Sequence, residues 1–296
     1  MTDLGITTQR GSTIPAEAPG RRRVNPISVL VYGLLVVLAA IYIYPFLVQL
    51  ATSFKTDPDA ASNPVSLVPD PFTTAAYEEL FTRSSFPRWT VNSVIITLVV
   101  TVGRVFFDSL AGYALARLKF RGRGAVFAAV IAVMAVPSVV LLIPRFLVVN
   151  QLGIYNTYTG MIVPLLVDAA GIFIMKNFFE SIPVSIEEAA RIDGAGTFRI
   201  YWSVVLPMAR PALITLIILS FQGSWNELGH FIVSRSDPDL DTLTTGVAAL
   251  AAGSLGQGTQ YPLKLAAALI MTIPVALLFF VFQRYIMASA EGGVKE

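Results

Sequence analysis

Six apolar windows, each long enough to cross a bilayer, constrain this chain more than any other feature of its sequence. A helix that spans the hydrocarbon core of a membrane needs about 20 consecutive, mostly apolar residues. Backbone groups inside lipid must be satisfied within the protein, so such windows predict membrane-spanning α-helices. The windows are 27–50, 91–116, 125–149, 158–179, 208–230 and 263–287.

The composition agrees with a membrane protein and excludes several kinds of chemistry. The chain is 55% hydrophobic and only 14% charged, whereas soluble domains contain about 25% charged residues. It has no cysteine and a single histidine, His230, which excludes disulfides, thiolate nucleophiles and cysteine- or histidine-cluster metal sites. A net charge of +2 provides no basic surface for nucleic acid. We therefore expect no metal site and no nucleic-acid partner.

The positions of the basic residues predict how the chain is oriented in the membrane. If the six spans alternate, 14 of the 21 lysines and arginines lie on one side. Cytoplasmic segments carry an excess of these residues, so both termini are predicted to be cytoplasmic. We predict a cytoplasmic tail over 1–26, a six-span domain over 27–290 and a cytoplasmic tail over 291–296. The loop at 180–207 is then cytoplasmic, and the long loops at 51–90 and 231–262 are outside.

The cytoplasmic loop between spans four and five carries the most specific local pattern. Ser185 followed by Glu188 fits a capping box, and Gly194 suits the left-handed residue that ends a helix. This pattern predicts a helix of about two turns over 186–193, and Thr197 is predicted to cap a second short helix. An isolated helix this short is marginally stable in water. It therefore needs a partner surface or a tight intramolecular contact.

The same loop resembles the EAA loop of ATP-binding cassette (ABC) importer permeases. Glu188-Ala189-Ala190 is followed at the family spacing by Gly194, by Val204 where the family prefers isoleucine, and by Leu206-Pro207. The resemblance covers about 90–290 and extends to the maltose-type sugar permeases. It implies an all-α membrane protein with the type I ABC importer permease fold, six transmembrane helices and a cytoplasmic coupling helix. Other matching segments are Asn92-Ser93, 111–122, Pro144, Leu152-Gly153, Asn156-Thr157, Ile182-Pro183, Asp193-Gly194-Ala195 and Trp225-Asn226-Glu227.

The resemblance implies the permease subunit of an ATP-driven, binding-protein-dependent importer of a carbohydrate, with a di- or oligosaccharide as the expected substrate. The implied partners are a second homologous permease, two ABC ATPase subunits that hold ATP and Mg, an extracytoplasmic substrate-binding (lipo)protein, and membrane lipid. The implied location is the bacterial cytoplasmic (inner) membrane. No lysine of the chain follows a glycine, so it has no Walker A motif. We therefore expect a non-enzymatic subunit whose ATP is hydrolysed elsewhere.

The resemblance also implies functional residues in three places. The outer loop is similar to one that reaches into the binding protein, and a flexible linker is the alternative. Late in span five, a polar cluster with a tryptophan could bind sugar, whereas an interfacial tryptophan beside helix-capping residues explains the same pattern. The predicted ATPase-coupling residues are Glu187, Glu188, Ala189, Ala190, Arg191, Asp193, Gly194, Ala195 and Gly196; the predicted substrate-path residues are Gln222, Trp225, Asn226 and Glu227; and the predicted binding-protein contacts are Thr245, Gly246, Gly253, Gly256 and Gly258.

Charged residues inside the spans leave two questions open. Arg104 and Asp108 are four residues apart on one predicted helix, where they can neutralise each other. Asp168 in span four has no local partner and can pair with Arg145 or with the sister permease. Intramembrane charges usually face the protein interior, so each is also a candidate functional residue.

Three alternative functions remain at this point. A glycerol-phosphate-type substrate fits the same transporter class, but the spans hold no cluster of arginine and lysine, which favours a neutral sugar. An autonomous secondary transporter commonly has internal repeats, and none is visible. An intramembrane enzyme would have to use Asp108, Asp168 or Glu227, which form no paired-acid motif.

Overall fold

The computed structural model of the protein describes residues 26–253 and 260–292, with side-chain surroundings for 27–253 and 260–283. Every regular element in these ranges is helical, which confirms the predicted all-α fold. Contacts divide the chain into two compact units, Met1–Leu47 and Val48–Glu296. Residues 1–25 of the predicted tail 1–26 and residues 293–296 of the predicted tail 291–296 lie outside the described residues.

The first two predicted spans are continuous helices, and the outer loop between them is structured. Helices α1 and α4 extend the windows 27–50 and 91–116 by a few residues at both ends, while α2 and α3 lie in the predicted outer loop. The bounds are α1 Pro26–Thr52, α2 Asp57–Ser62, α3 Ala75–Thr82 and α4 Phe86–Arg117.

Spans three and four are interrupted. The third consists of α5 (Arg123–Met134), a 3-10 turn (Ser138–Leu141) and α6 (Leu142–Gln151), with a bend of 103°. The bend falls at Pro137, because proline disfavours helical geometry in the residue before it. The fourth span consists of α7 (Tyr158–Ile162), a 3-10 turn (Val163–Leu165) and α8 (Ala169–Ser181).

The cytoplasmic loop and span five form a chain of short helices that bends by 83° into α12. Pro207 and Pro211 lie in the first turns of α11 and α12, where a missing N–H is tolerated. Span six is one long helix, α15. The bounds are α9 Val184–Ile192, α10 Thr197–Ile200, a π-helical turn Tyr201–Val205, α11 Leu206–Met208, α12 Arg210–Trp225, α13 Gly229–Val233, a 3-10 turn Pro238–Leu240, α14 Leu243–Ala251 and α15 Tyr261–Gly292.

The described residues contain four helical stretches long and apolar enough to cross a membrane, with the interrupted stretch Tyr158–Ser181 counted as one, and six such spans if each bent pair counts as one. This total agrees with the six predicted windows. The predicted window 208–230 is longer than α12, because the helix ends at Trp225 and a separate short helix, α13, follows.

Close backbone contact joins α4 to α8 at small residues. A Cβ atom added to Gly112 would lie 2.9 Å from the backbone nitrogen of Lys176 and 2.8 Å from Cβ of Met175. A Cβ at Gly171 would overlap the carboxylate of Asp108. Small residues allow this approach, which supplies van der Waals contact where lipid provides no hydrophobic driving force.

The outer segment between α1 and α3 is held by local polar contacts. The Lys55 ammonium is buried and donates to the carbonyl of Asn63 at 2.6 Å. Asp59 accepts from the backbone N–H of Asp70 and from the Asn63 amide, both at 3.0 Å. The Asp70 N–H contributes most, and together these donors lower the pKa of Asp59 below its usual value. This part of the predicted loop 51–90 is thus ordered by its own polar contacts.

We predict that Gly112→Ala destabilises the protein, because the added methyl group meets backbone atoms of α8 that cannot rotate away. Overpacking of this kind costs about 1–3 kcal/mol. Thermal unfolding of the purified chain in detergent measures the effect. The control is Gly124→Ala in α5, where an added Cβ has nothing within 4 Å. Equal unfolding temperatures for the two variants would contradict the tight α4–α8 contact.

Candidate functional site

The helix that carries the EAA pattern, α9, ends in a glycine-dependent turn. Gly194 has φ of +81°. The N–H of Gly194 donates to the carbonyl of Arg191 at 3.0 Å, and the N–H of Ala195 donates to the carbonyl of Ala190 at 2.9 Å. These two bonds form a Schellman motif, which satisfies carbonyls that a helix end leaves without partners. The prediction that Gly194 ends the helix is therefore confirmed.

The start of α9 differs from the prediction. The helix begins at Val184 after Pro183, and its N-cap has no side-chain hydrogen bond. The predicted capping box of Ser185 and Glu188 is wrong, because the proline sets the boundary two residues earlier and places Ser185 inside the helix. Thr197 is likewise the first residue of α10 and does not cap it, since the N-cap is Gly196.

A buried ion pair anchors α9 to the end of α4. Glu187 is 2% exposed, and its Oε1 lies 2.9 Å from Nε of Arg117, the last residue of α4. The Tyr113 hydroxyl donates to Oε2 of Glu187 at 3.3 Å, and Arg191 lies 3.8 Å from the same oxygen. A carboxylate removed from water requires such partners. Glu187, predicted as an ATPase contact, therefore faces the protein interior.

Arg117 also fixes the end of α8. Its Nη2 donates to the carbonyls of Phe179 and Ile182, at the point where α8 gives way to α9. Buried residues of α4, α8 and α10 form part of one hydrophobic core, and Ile186, Ala190 and Ala195 pack against that core. One guanidinium thus joins the end of α4, the end of α8 and the first half of α9.

The opposite side of α9 is exposed. Ile192 is 86% exposed, and this large apolar side chain was not among the predicted contacts. Its exposure follows from the helix period, because Glu187 points inward and Ile192, five residues on, points away. Of the predicted coupling residues, Ala190 and Ala195 are half-buried, and the exposed ones are Glu188, Ala189, Arg191, Asp193, Gly194 and Gly196.

Asn92 and Ser93, at the start of the second span, hold the outer loop at 231–262. Asn92 Nδ2 donates to the carbonyls of Asp239 at 2.9 Å and Asp241 at 2.7 Å. The Tyr158 hydroxyl donates to Asn92 Oδ1 at 2.6 Å. Ser93 Oγ accepts from the N–H of Leu243 at 2.7 Å. Sequence reasoning noted these two residues only as part of a resemblance.

The described part of the outer loop is helical, so a flexible linker is the wrong description of it. Thr242 and Thr245 form a capping box at the start of α14. Thr245 and Gly246 are buried, and a Cβ at Gly246 would overlap the indole of Trp89. These two predicted binding-protein contacts therefore lie beneath the surface here. Gly253 is exposed, and Gly256 and Gly258 lie outside the described residues.

The predicted sugar-stacking tryptophan is part of the core. Trp225 is 2% exposed, its indole N–H donates to the carbonyl of Met271 at 3.0 Å, and it stacks on Phe221 at 5.6 Å. The N–H thus joins α12 to α15, while the ring stacks on a residue of its own helix, and a pyranose contact by Trp225 stays a prediction. An interfacial belt position is wrong, since Trp225 is enclosed.

The other predicted path residues keep some exposure. Gln222 is half-buried, and Asn226 is exposed and donates back to the Gln222 carbonyl at 3.0 Å. Glu227 accepts from the backbone N–H of His230 at 2.8 Å. His230 is fully buried, with its ring nitrogens beside the Met161 carbonyl and the Ser234 hydroxyl. The predicted role of Gln222, Asn226 and Glu227 stays a prediction.

The charges inside spans two and four have partners that their sequence spacing did not indicate. Arg104 donates to the carbonyl of Leu165, and Asp108 accepts from the backbone N–H of Asp168. The predicted Arg104–Asp108 ion pair is therefore absent among the described residues. Asp168 does not pair with Arg145; it caps α8 by accepting from the N–H of Gly171 at 3.2 Å. Within the described ranges, no three acids or histidines are grouped as a metal site requires.

Comparisons with known proteins agree on one family. The family model for the binding-protein-dependent transport system inner membrane component matches residues 108–290. The chain is 34% identical over 263 residues to the arabinooligosaccharides transport system permease protein AraQ of Halalkalibacterium halodurans, covering 87% of this chain and 93% of the relative. It is 33% identical over 280 residues to the diacetylchitobiose uptake system permease protein NgcG of Streptomyces coelicolor, covering 94% of this chain and 91% of the relative.

A solved structure gives the same result for the fold. The chain superposes with a TM-score of 0.77 and 26% identity on a chain of a bacterial ABC transporter involved in the import of the acidic polysaccharide alginate. The superposition covers 90% of this chain and 99% of that chain. The predicted type I importer permease fold is therefore confirmed.

We predict opposite consequences for the two neighbouring glutamates of α9. Glu187→Ala leaves Arg117 buried without its carboxylate, and breaking a buried pair costs about 3–5 kcal/mol. Glu188→Ala removes an exposed side chain and changes stability by about 0.5 kcal/mol or less. Thermal or denaturant unfolding of each variant in detergent measures the difference. Similar losses in both variants would show that the Arg117 contact does not anchor α9.

We also predict that Asn92→Asp loosens the outer loop. The substitution removes both amide donors and places a carboxylate oxygen beside the carbonyls of Asp239 and Asp241, and each buried group left unsatisfied costs about 1–3 kcal/mol. The rate of limited proteolysis within 235–260 is expected to rise. Asn150→Asp, an exposed site on α6, is the control. An unchanged cleavage pattern for Asn92→Asp would show that the Asn92 hydrogen bonds do not hold the loop.

Proposed function

This chain belongs to the family of binding-protein-dependent transport system inner membrane components, and from that membership we propose that it forms one half of the pore of an ATP-driven oligosaccharide importer. It is a multi-pass membrane permease subunit of an ABC transporter. The other half of the pore is a second, homologous permease. The energy comes from two separate ATPase subunits, which hold ATP and Mg²⁺.

The observation that carries this proposal is the construction of α9. The helix is short, its buried side is tied to α4 and α8 through Glu187 and Arg117, and its other side offers Glu188, Asp193 and an exposed Ile192. These exposed side chains are available to a protein partner. That partner is the ATPase, which α9 meets as the coupling helix.

The anchoring explains how movement passes into the membrane. A partner that displaces α9 displaces Arg117 with it, and therefore the cytoplasmic ends of α4 and α8. Because packed helices shift as rigid bodies, the displacement becomes a rearrangement of the bundle, as alternating access requires. Gly194 allows the sharp reversal between α9 and α10 without strain in α9 itself.

The relatives support a carbohydrate as the substrate. Two of them are named as permeases for arabinooligosaccharides and for diacetylchitobiose, and each match covers most of both chains. Among the predicted path residues, Gln222, Asn226 and Glu227 can offer hydrogen bonds to sugar hydroxyls, whereas Trp225 is committed to packing. The partner permease supplies any aromatic stacking. An extracytoplasmic binding protein delivers the sugar and contacts the outer loop at 231–262 near Gly253.

The proposed orientation places both termini and α9 in the cytoplasm of a bacterial cell, with the permease in the inner membrane. It rests on the distribution of lysine and arginine. In this orientation α9 lies on the side where ATP is available. The hydrogen bonds from Asn92 to the loop at 231–262 lie on the side from which the binding protein approaches.

We predict that Glu188→Lys and Gly194→Asp uncouple the transporter. The first reverses a charge on the exposed side of α9, and the second forces a side chain into a left-handed position that favours glycine. Both variants are expected to retain the fold in the membrane while the co-purified ATPase is reduced or its binding-protein stimulation is lost.

The measurement is affinity purification of the tagged permease from cells that express the whole operon, followed by ATPase assay in liposomes. Glu78→Lys is the matched control, since Glu78 is exposed on α3, on the predicted outer side. Full ATPase recovery and stimulation in the α9 variants would refute the coupling role. Uptake of the sugar by the permease alone in liposomes would refute the importer assignment.

A further inference from the structure

The fourth span is broken at the level of two charged residues of α4. Its outer part ends in the 3-10 turn Val163–Leu165, and its inner part, α8, begins only at Ala169. Asp168 between them is extended, with φ of −131° and ψ of 130°. A helix broken inside a membrane frees backbone carbonyls on one side of the break and N–H groups on the other. Lipid supplies no hydrogen-bond partner to the carbonyls or to the N–H groups, so the protein must supply both.

The two charges of α4 meet the two sides of this break with matching polarity. Arg104 Nε donates to the carbonyl of Leu165 at 2.6 Å, on the side where carbonyls are left over. Asp108 Oδ1 accepts from the N–H of Asp168 at 3.0 Å, on the side where N–H groups are left over. Helix C-termini carry partial negative charge and N-termini partial positive charge, so a cation suits the first and an anion the second.

The fit at Asp108 is tight. Its side chain is fully buried, and a Cβ atom at Gly171 in the first turn of α8 would overlap its carboxylate. Asp168 caps the same turn from within the chain. Salt bridges elsewhere in the described residues involve other side chains, so neither Arg104 nor Asp108 is held by an ion pair there.

We propose that Arg104 and Asp108 are positioning residues that bind the two sides of the break in the fourth span to α4, an arrangement that we call the splint. A broken helix is a weak point that would absorb movement arriving from the cytoplasmic side. With both ends bound to one continuous helix, α4, the angle at the break is fixed. Movement of α9, which reaches α8 and α4 through Arg117, then continues to the outer half of the bundle. This consequence for transport rests on the proposed function, whereas the splint itself does not.

The splint and a simple ion pair predict different results for a charge exchange. If the two side chains only neutralised each other, the double variant Arg104→Asp/Asp108→Arg would restore the native arrangement. If each charge serves a backbone end of opposite polarity, the exchange places a carboxylate against the Leu165 carbonyl and a guanidinium against the Asp168 N–H. The exchanged variant is then as disturbed as the single losses.

Spin labels on both sides of the break provide the measurement. The chain has no cysteine, so cysteines introduced at Thr159 on α7 and Asn177 on α8, both exposed, are the only ones in this chain, and the other subunits are used in cysteine-free form. Distances between the labels are measured by double electron–electron resonance in the complete transporter in lipid nanodiscs, with and without Mg-ATP. We expect a narrow distribution for the parent, and a shifted, broadened one for Arg104→Leu, Asp108→Leu and the exchanged double variant.

Conservative and matched variants complete the test. Arg104→Lys keeps a cationic donor and Asp108→Asn keeps an acceptor oxygen, so the distance distribution of each variant is expected to stay narrow. These two variants remain informative if the leucine variants fail to accumulate. Arg145→Leu removes another half-buried arginine from a predicted span and is the control. A narrow distribution in the exchanged variant or in the leucine variants, or a broad one in Arg104→Lys and Asp108→Asn, would overturn the splint. A parent transporter without ATPase activity would instead refute the proposed function and leave the distance result standing.

Discussion

The absence of hydrogen-bond partners in lipid is the constraint on which the rest of this structure depends. Continuous helices such as α4 and α15 meet it within their own backbone. The third predicted span is bent by 103°, the fourth is interrupted, and a bend of 83° separates α11 from span five, so each break creates backbone groups that other residues must satisfy. At the fourth span, Arg104 and Asp108 of helix α4 meet this need. The same helix supplies Asn92, which binds carbonyls of the loop at 231–262, and Arg117, which binds carbonyls at the end of α8.

Helix α4 therefore contacts each of these irregular parts and orients them. The same helix holds the loop at 231–262, the broken fourth span and the end of α8 through side chain to backbone hydrogen bonds, and it holds the coupling helix through the Arg117–Glu187 ion pair. Such contacts are directional, so they fix angles as well as distances. Close packing at Gly112 adds contact area along α8 without adding polar groups. A displacement of one of the parts that contact α4 is consequently passed to the others through this helix. A transporter subunit needs this property.

The sequence allowed the membrane class, the number of spans and the position of the coupling helix to be predicted, because hydropathy and helix-ending glycines act locally. Polar partners within the membrane could not be predicted in the same way. The four-residue spacing of Arg104 and Asp108 is compatible with an ion pair, but the backbone ends exposed by the break at 166–168 compete for both side chains and bind them. The burial of Trp225 could not be predicted for a related reason, since it depends on where α15 lies. Only the assembled bundle decides such contacts.

Glu187 and Glu188 show how one short motif can hold two physical roles. Adjacent residues on a helix point about 100° apart, so one carboxylate enters the core while the next remains in solvent. The buried one requires Arg117 and Tyr113 to offset its desolvation, and it thereby makes the short helix rigid. The exposed one is then presented in a fixed direction, together with Ile192 and Asp193. A helix of nine residues would fray by itself in water. The buried glutamate therefore fixes the direction in which this short helix points, and the exposed face is the part that it can present to another protein.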